Sequence, residues 1–185
     1  MSKWIALVLF LGVFCTEITA APPQTTRKKL DKPTMIQGYL CAKDYAWFYA
    51  DGKMKSCTVN QETQFGEALL PNGSIVYLKP DGSRDEVQLA HSTRIHDVLC
   101  DGGGPLGPAE GSIVGLYPSG KLKLCFLAED QEVQGVPCAH GGIIATLTGP
   151  DPGISFYESG QLRACRLSRD FHGQSKNTIW KQAEK

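Results

Sequence analysis

The side chains in this sequence that could carry metal or redox chemistry are cysteines and histidines. The chain contains 7 cysteines and 4 histidines among 185 residues. The absence of Cys-x-x-Cys argues against zinc-ribbon and thioredoxin-like sites. Cys138 and His140 are the one close pair; His91 and His96 form a looser pair whose side chains would lie on opposite faces of a strand. We therefore predict no metal site and no cofactor, and interpret the histidines as exposed residues near loops.

The sequence also lacks a recognisable catalytic motif. None of the histidines, His172 included, lies near a Gly-x-Ser-x-Gly motif. The adjacent carboxylates Asp85-Glu86 and Glu129-Asp130 would face opposite sides of a strand, so neither pair forms an acid/base dyad by itself. We predict a non-enzymatic protein. The alternatives are a small extracytoplasmic enzyme or enzyme inhibitor with its site in loops 101–108 and 138–153, and a metal-binding envelope protein.

The composition restricts the classes of protein to consider. Lys and Arg number 19 and Asp and Glu number 19, so the charge is balanced, and hydrophobic residues make up 42%. That apolar content is too high for a fully disordered chain. The neutral balance gives no electrostatic reason to expect nucleic acid or an anionic membrane as a partner.

Residues 1–20 are typical of a secretory signal. Lys3 is followed by an apolar run, Trp4 to Phe14, which is too short to span a bilayer, and small residues allow cleavage after Ala20. Lipidation of Cys15 is an alternative left open. No later segment is predicted to span a membrane. We expect an exported protein, secreted or periplasmic, whose six remaining cysteines form disulfides in an oxidising compartment.

An internal repeat is the strongest signal in the sequence. Four segments align on glycines spaced 30, 38 and 40 residues apart, within the range of repeat architectures. The residue five positions after each glycine is Cys, Val, Cys and Cys in turn. The four glycines are Gly52, Gly82, Gly120 and Gly160. A second, weaker motif precedes three of them and ends at Cys41, Cys100 and Cys138.

Each aligned glycine is predicted to close a β-hairpin, because glycine readily adopts the left-handed conformation such turns require. In the last hairpin a three-residue loop would pair Phe156 with Leu162 and Ile154 with Ala164. In the preceding hairpin the same alternation buries five residues and turns Tyr117, Lys121, Lys123 and Cys125 to the opposite face. The five are Val114, Leu116, Leu122, Leu124 and Phe126.

The segments 116–123 and 156–163 resemble the variant MORN repeat, a hairpin unit reading roughly Tyr-Tyr-x-Asn-Gly-Lys-Leu-Lys. The resemblance covers about ten residues of each unit. It implies an all-β fold in which consecutive antiparallel hairpins form an elongated or curled sheet. It implies no activity, because such repeats usually serve as scaffolds or interaction surfaces.

We divide the chain into a signal peptide (1–20), a flexible polar arm (21–36), a domain of about four hairpin units (37–170) and a C-terminal tail (171–185). The tail is expected to carry at most one short helical turn. Its Trp180 could anchor a partner or pack back on the domain.

Two disulfide schemes are compatible with the repeat. Pairing within units joins each upstream cysteine to the one that follows its hairpin glycine, giving Cys41–Cys57, Cys100–Cys125 and Cys138–Cys165. The alternative joins neighbouring units, giving Cys57–Cys100, Cys125–Cys138 and Cys41–Cys165. The regularity of the repeat favours the first scheme.

Basic and aromatic residues recur at equivalent hairpin positions and would form a strip across stacked hairpins. The strip comprises Tyr49, Lys53, Lys55, Tyr117, Lys121, Lys123, Tyr157 and Arg163. It could bind a protein or an anionic glycan. The alternative is that its lysines discourage edge-to-edge aggregation and its tyrosines pack over neighbouring pairs. We predict a disulfide-stapled binding or scaffold module of unknown ligand.

Overall fold

The computed structural model describes residues 24–102, 113–141 and 153–182, and these residues form an all-β fold of consecutive antiparallel hairpins. This confirms the predicted fold class. No helix able to cross a membrane occurs in these ranges. The predicted signal peptide and the greater part of both predicted loop sites lie outside them.

In the described part of the chain, ten strands form one antiparallel sheet in chain order. They are β1 (Thr25–Lys29), β4 (Tyr45–Tyr49), β5 (Met54–Thr58), β8 (Ile75–Leu78), β9 (Arg84–Gln88), β12 (Ile113–Leu116), β13 (Leu122–Cys125), β16 (Ile154–Phe156), β17 (Leu162–Arg166) and β18 (Ile179–Lys181). The four long hairpins are β4–β5, β8–β9, β12–β13 and β16–β17, and β1 and β18 form the two edges of the sheet.

Four short hairpins connect strands of this sheet. They are β2 (Thr34–Ile36) with β3 (Tyr39–Cys41), β6 (Thr63–Phe65) with β7 (Ala68–Leu70), β10 (Thr93–Ile95) with β11 (Val98–Cys100), and β14 (Gln131–Val133) with β15 (Val136–Cys138). Buried side chains from the sheet and from the short hairpins belong to a single cluster. The core therefore lies between one face of the sheet and the layer of short hairpins.

Glycine sets the turns of the long hairpins, as the sequence predicts. Gly160 has a φ of +88°, and its N–H donates to the carbonyl of Tyr157 at 2.8 Å. The N–H of Tyr157 in turn donates to the carbonyl of Gln161 at 2.9 Å. The same two bonds recur in the other three long hairpins. This is the three-residue loop with a glycine bulge that the sequence predicts for the last hairpin.

A second irregularity, which the sequence analysis missed, follows each turn. In the first long hairpin Trp47 pairs with Ser56 but Phe48 pairs with Met54, so Lys55 is an extra residue in the second strand. Lys123 and Arg163 are the extra residues of the third and fourth hairpins. Such a β-bulge shifts the pairing by one residue, so side chains beyond it change face.

The bulge explains why part of the predicted pairing in the last hairpin is wrong. Phe156 pairs with Leu162 as predicted. The partner of Ala164 is Ser155 and not Ile154, because Arg163 is inserted between the two pairs.

The same shift overturns part of the predicted burial in the third long hairpin. Val114, Leu116 and Leu122 are buried as predicted. Cys125, which was predicted on the opposite face, is fully buried, while Leu124 and Phe126 are only half-buried. Strict alternation fails here because it takes no account of the extra residue.

The bulge turns the cysteines of the long hairpins toward the short hairpins. Cys41–Cys57, Cys100–Cys125 and Cys138–Cys165 lie at disulfide distance, with Cα–Cα separations of 5.7, 5.8 and 5.7 Å. These are the pairs of the within-unit scheme. In the second unit Leu70 and Val87 occupy the equivalent positions, and both are fully buried. An apolar pair thus fills the place of the missing disulfide.

The segments predicted as an arm and a tail contribute strands, which differs from the prediction. Within 21–36, β1 pairs with β4 along its whole length, from Thr25 opposite Tyr49 to Lys29 opposite Tyr45. Within 171–185, β18 pairs with β17, and the side chain of Trp180 packs against the core. Sequence periodicity misses both strands because main-chain hydrogen bonds hold a polar edge strand without an alternating apolar pattern.

Candidate functional site

The basic residues of the predicted strip occupy the bulges. Lys55, Lys123 and Arg163 are the extra residues of three long hairpins, and Lys123 and Arg163 are exposed. Asp85 occupies the equivalent position in the second hairpin, where Lys79 lies 4.0 Å from its carboxylate. The strip is therefore interrupted by an acidic residue, and its exposed basic part lies on the third and fourth hairpins.

Two of the strip's tyrosines connect neighbouring hairpins. The hydroxyl of Tyr49 donates to the carbonyl of Leu78 at 2.8 Å, and that of Tyr117 donates to the carbonyl of Phe156 at 2.8 Å. Each acceptor occupies the same position in the next hairpin along the sheet. Burial, together with nearby aspartates, raises the pKa of Tyr49. These hydroxyls stabilise the stacking of hairpins.

The first-hairpin lysine Lys53 is also engaged. Its ammonium donates to the carbonyl of Pro80 at 2.9 Å and lies 3.2 Å from the carboxylate of Asp51. The backbone N–H of Lys53 donates to the same carboxylate at 3.0 Å and lowers the pKa of Asp51.

The fourth hairpin carries the most exposed cation–aromatic contact of the strip. The guanidinium of Arg163 lies 5.7 Å from the ring centroid of Tyr157. Within the described ranges, Lys121 and Lys123 make no ion pair and no side-chain hydrogen bond. Lys121, Lys123, Tyr157 and Arg163 together form what we call the basic end of the strip.

One histidine is held by a carboxylate. His140 Nδ1 lies 2.6 Å from Oδ1 of Asp130, and the same oxygen accepts the backbone N–H of His140 at 2.8 Å. Burial disfavours the charged carboxylate, but these hydrogen bonds outweigh it, and the pKa of Asp130 is lowered. A carboxylate oxygen can only accept, so Nδ1 is the donor in this contact, and in the neutral ring Nε2 is then an acceptor. Both side chains are about half exposed.

The remaining candidate metal ligands do not converge in the described part of the chain. Cys138 is paired with Cys165, and the Nε2 of His96 contacts a carboxylate oxygen of Glu67 at 3.1 Å. No group of three or more metal-binding side chains occurs in residues 24–102, 113–141 and 153–182. His172 packs edge-on against Phe171.

The open face of the sheet carries an aromatic cluster that the sequence analysis did not identify. Tyr45 and Trp47 are 40% and 41% exposed, and the guanidinium of Arg27 lies 4.0 and 5.9 Å from their ring centroids. The alternation from Tyr45 to Tyr49 signals an amphipathic strand. The position of Arg27 depends on the pairing of β1 with β4, which the sequence did not reveal.

Comparison with known proteins leaves the family open: no protein family, curated protein or solved structure matches this chain.

Proposed function

We propose that this chain is exported and acts as a non-enzymatic β-repeat binding module that presents a basic surface to an anionic glycan. The cysteine pairs, which are compatible with an oxidising compartment, support export. The resemblance to variant MORN repeats supports a scaffold or binding role over catalysis.

The observation that carries the proposal is the basic end of the strip. Lys123 and Arg163 occupy bulges in strands separated by one intervening strand, β16, so their backbones lie about 10 Å apart. Both are exposed, and Lys121, two residues before Lys123 in the chain, is a third cation of the same hairpins. A chain of sulfate or carboxylate groups could contact several of these cations at once, with Tyr157 offering an apolar surface.

The experiment compares the wild type with Lys123→Gln/Arg163→Gln for binding to a heparin-derived oligosaccharide. The matched control is Lys32→Gln/Lys43→Gln, which removes the same net charge from exposed positions elsewhere. Each exposed charge contact contributes up to about 1 kcal/mol, so the double variant should bind about tenfold more weakly.

The control should bind as the wild type does, and added salt should weaken glycan binding by the wild type and by the control. Equal losses in the two variants would show that net charge and not the strip governs binding, and would overturn the assignment of the surface. Binding of poly-glutamate but not of the glycan would replace the glycan with an acidic protein partner.

Asp130 and His140 favour a second candidate, a small hydrolytic enzyme. A carboxylate that holds a histidine through Nδ1 leaves Nε2 able to accept a proton from a nucleophile or water. Turnover of a panel of ester and amide substrates that disappears in His140→Gln but persists in Lys43→Gln would support this candidate. Equal turnover in both variants would eliminate it.

A further inference from the structure

The short hairpins do not all contact the sheet in the same way. In the fourth, the tip residue Gln134 accepts the backbone N–H of Leu162 at 2.9 Å and donates to the carbonyl of Gly160 at 2.9 Å. In the first, Gln37 accepts the backbone N–H of Met54. Each of these glutamines thus fastens its short hairpin to the long hairpin that follows.

The second and third short hairpins depart from this arrangement. The tip of the second reaches the third long hairpin, where Gly66 packs so closely that a Cβ on it would lie 2.4 Å from Cα of Gly120. The N–H of Glu67 points to the carbonyl of Gly120 at 3.4 Å. The third tip carries His96 in place of glutamine, and its ring contacts Glu67. A glutamine at the third tip would donate to the carbonyl of Gly120, as Gln134 does to that of Gly160. The second tip already engages that carbonyl.

A cleft of about 430 Å³ lies where these hairpins meet. This volume falls within the range of small-molecule sites. Its floor is apolar and is formed by Val98, Leu122, Val133 and Phe156, each 4 to 6% exposed.

Several charged groups line the cleft, and some are already paired. Glu67 contacts His96 at 3.1 Å, and Glu132 contacts Arg169 at 3.2 Å.

Two residues of opposite charge line the cleft without a side-chain partner in the described part of the chain. They are Asp97 and Lys121. Within the described ranges neither makes an ion pair or a side-chain hydrogen bond, and they do not contact each other. A cleft with an apolar floor is thus lined by an acidic and a basic residue whose side chains are engaged by no other described group.

We infer that this cleft binds a zwitterion with an apolar side chain, namely a free apolar α-amino acid. The ammonium of the ligand would pair with Asp97, its carboxylate would pair with Lys121, and its side chain would cover the floor. Charge pairing of this kind selects the zwitterion against analogues that lack either charge. The inference shares Lys121 with the basic end of the strip, whereas the glycan test depends on Lys123 and Arg163, which do not line the cleft.

The experiment titrates ¹⁵N-labelled protein with L-phenylalanine, N-acetyl-phenylalanine and phenylalanine amide while amide chemical shifts are recorded. We expect saturable shifts at Val98 and Val133 with the free amino acid. Each blocked analogue should bind up to about fivefold more weakly, because each lacks one exposed charge contact. Failure to saturate at millimolar concentration, or equal binding of the three compounds, would overturn the inference.

Variants assign the two charges. Asp97→Asn should weaken binding of phenylalanine while leaving binding of N-acetyl-phenylalanine unchanged. Lys121→Gln should weaken binding of phenylalanine while leaving binding of phenylalanine amide unchanged. The controls are Asp44→Asn and Lys43→Gln, at exposed positions outside the cleft. If the control variants, and not Asp97→Asn and Lys121→Gln, lost the preference for phenylalanine over its blocked analogues, the assignment of the two charges would be refuted. Glycan binding by Asp97→Asn should remain at the wild-type level, so the two proposals can fail separately.

Discussion

Replacing one disulfide with the apolar pair that the protein itself uses in its second unit tests whether the disulfides act as cross-links. The perturbation is Cys100→Leu/Cys125→Val, which copies Leu70 and Val87. The cysteines are 25 residues apart, so loss of the cross-link should lower the free energy of unfolding by about 3.5 kcal/mol through the entropy of the unfolded chain. The new side chains are larger than the two sulfur atoms, but the second unit holds the same pair fully buried at the equivalent positions, so little packing energy should be lost.

Cys100→Ala/Cys125→Ala is the matched variant that loses packing as well. Two truncated buried side chains should cost about 1 kcal/mol each in addition, giving a total loss of about 5 to 6 kcal/mol. Urea unfolding followed by circular dichroism measures both variants, and the m-value should rise because the unfolded chain exposes more surface. A Leu/Val variant as stable as the wild type would refute the cross-link account. A Leu/Val variant no more stable than the Ala/Ala variant would refute the equivalence of the second unit.

Three further substitutions, one of them with a matched control, test local features. Gly66→Ala should cost about 2 to 4 kcal/mol, because its Cβ would meet the backbone of the third long hairpin; Gly38→Ala, which has a similar φ and open space around it, should cost only about 1 kcal/mol. Asp130→Asn should destabilise the protein at neutral pH by less than about 1 kcal/mol. Because the pKa of Asp130 is lowered in the folded state, its contribution is present above the unfolded pKa and is lost as pH falls through the folded value, so the gap between the urea midpoints of wild type and variant should begin to narrow below about pH 4. A gap that does not narrow as the pH falls further would assign the effect to something other than the charge on Asp130. Tyr117→Phe should cost about 1 kcal/mol in urea unfolding, since it removes one partly buried hydrogen bond between hairpins; an unchanged midpoint would show that this bond contributes nothing.

Local chemistry made much of the fold predictable. The glycine spacing located all four long turns, because a positive φ at a hairpin bulge selects glycine whatever surrounds it. The recurrence of cysteines at one offset from those glycines favoured the pairing of Cys100 with Cys125. The second short hairpin escaped detection because Leu70 stands where the others end in cysteine.

The candidate sites were less predictable, because each depends on groups brought together from distant parts of the chain. Sequence reasoning selected Lys123 and Arg163 but could not show that they occupy bulges. It selected His140 as well, but treated Asp130 only as a neighbour of Glu129 and not as the partner of that histidine.

The positions of the four long turns that the structure describes and the type of secondary structure could therefore be derived from the sequence, because both follow from residues close together in the chain. The tertiary structure alone decided the register beyond each turn, the strands at both edges and the placement of Gly66 on Gly120. These features arise from main-chain hydrogen bonds and close packing between segments far apart in sequence. Such contacts impose no local periodicity, and for that reason the face on which Cys125 lies could not be read from the alternation around it.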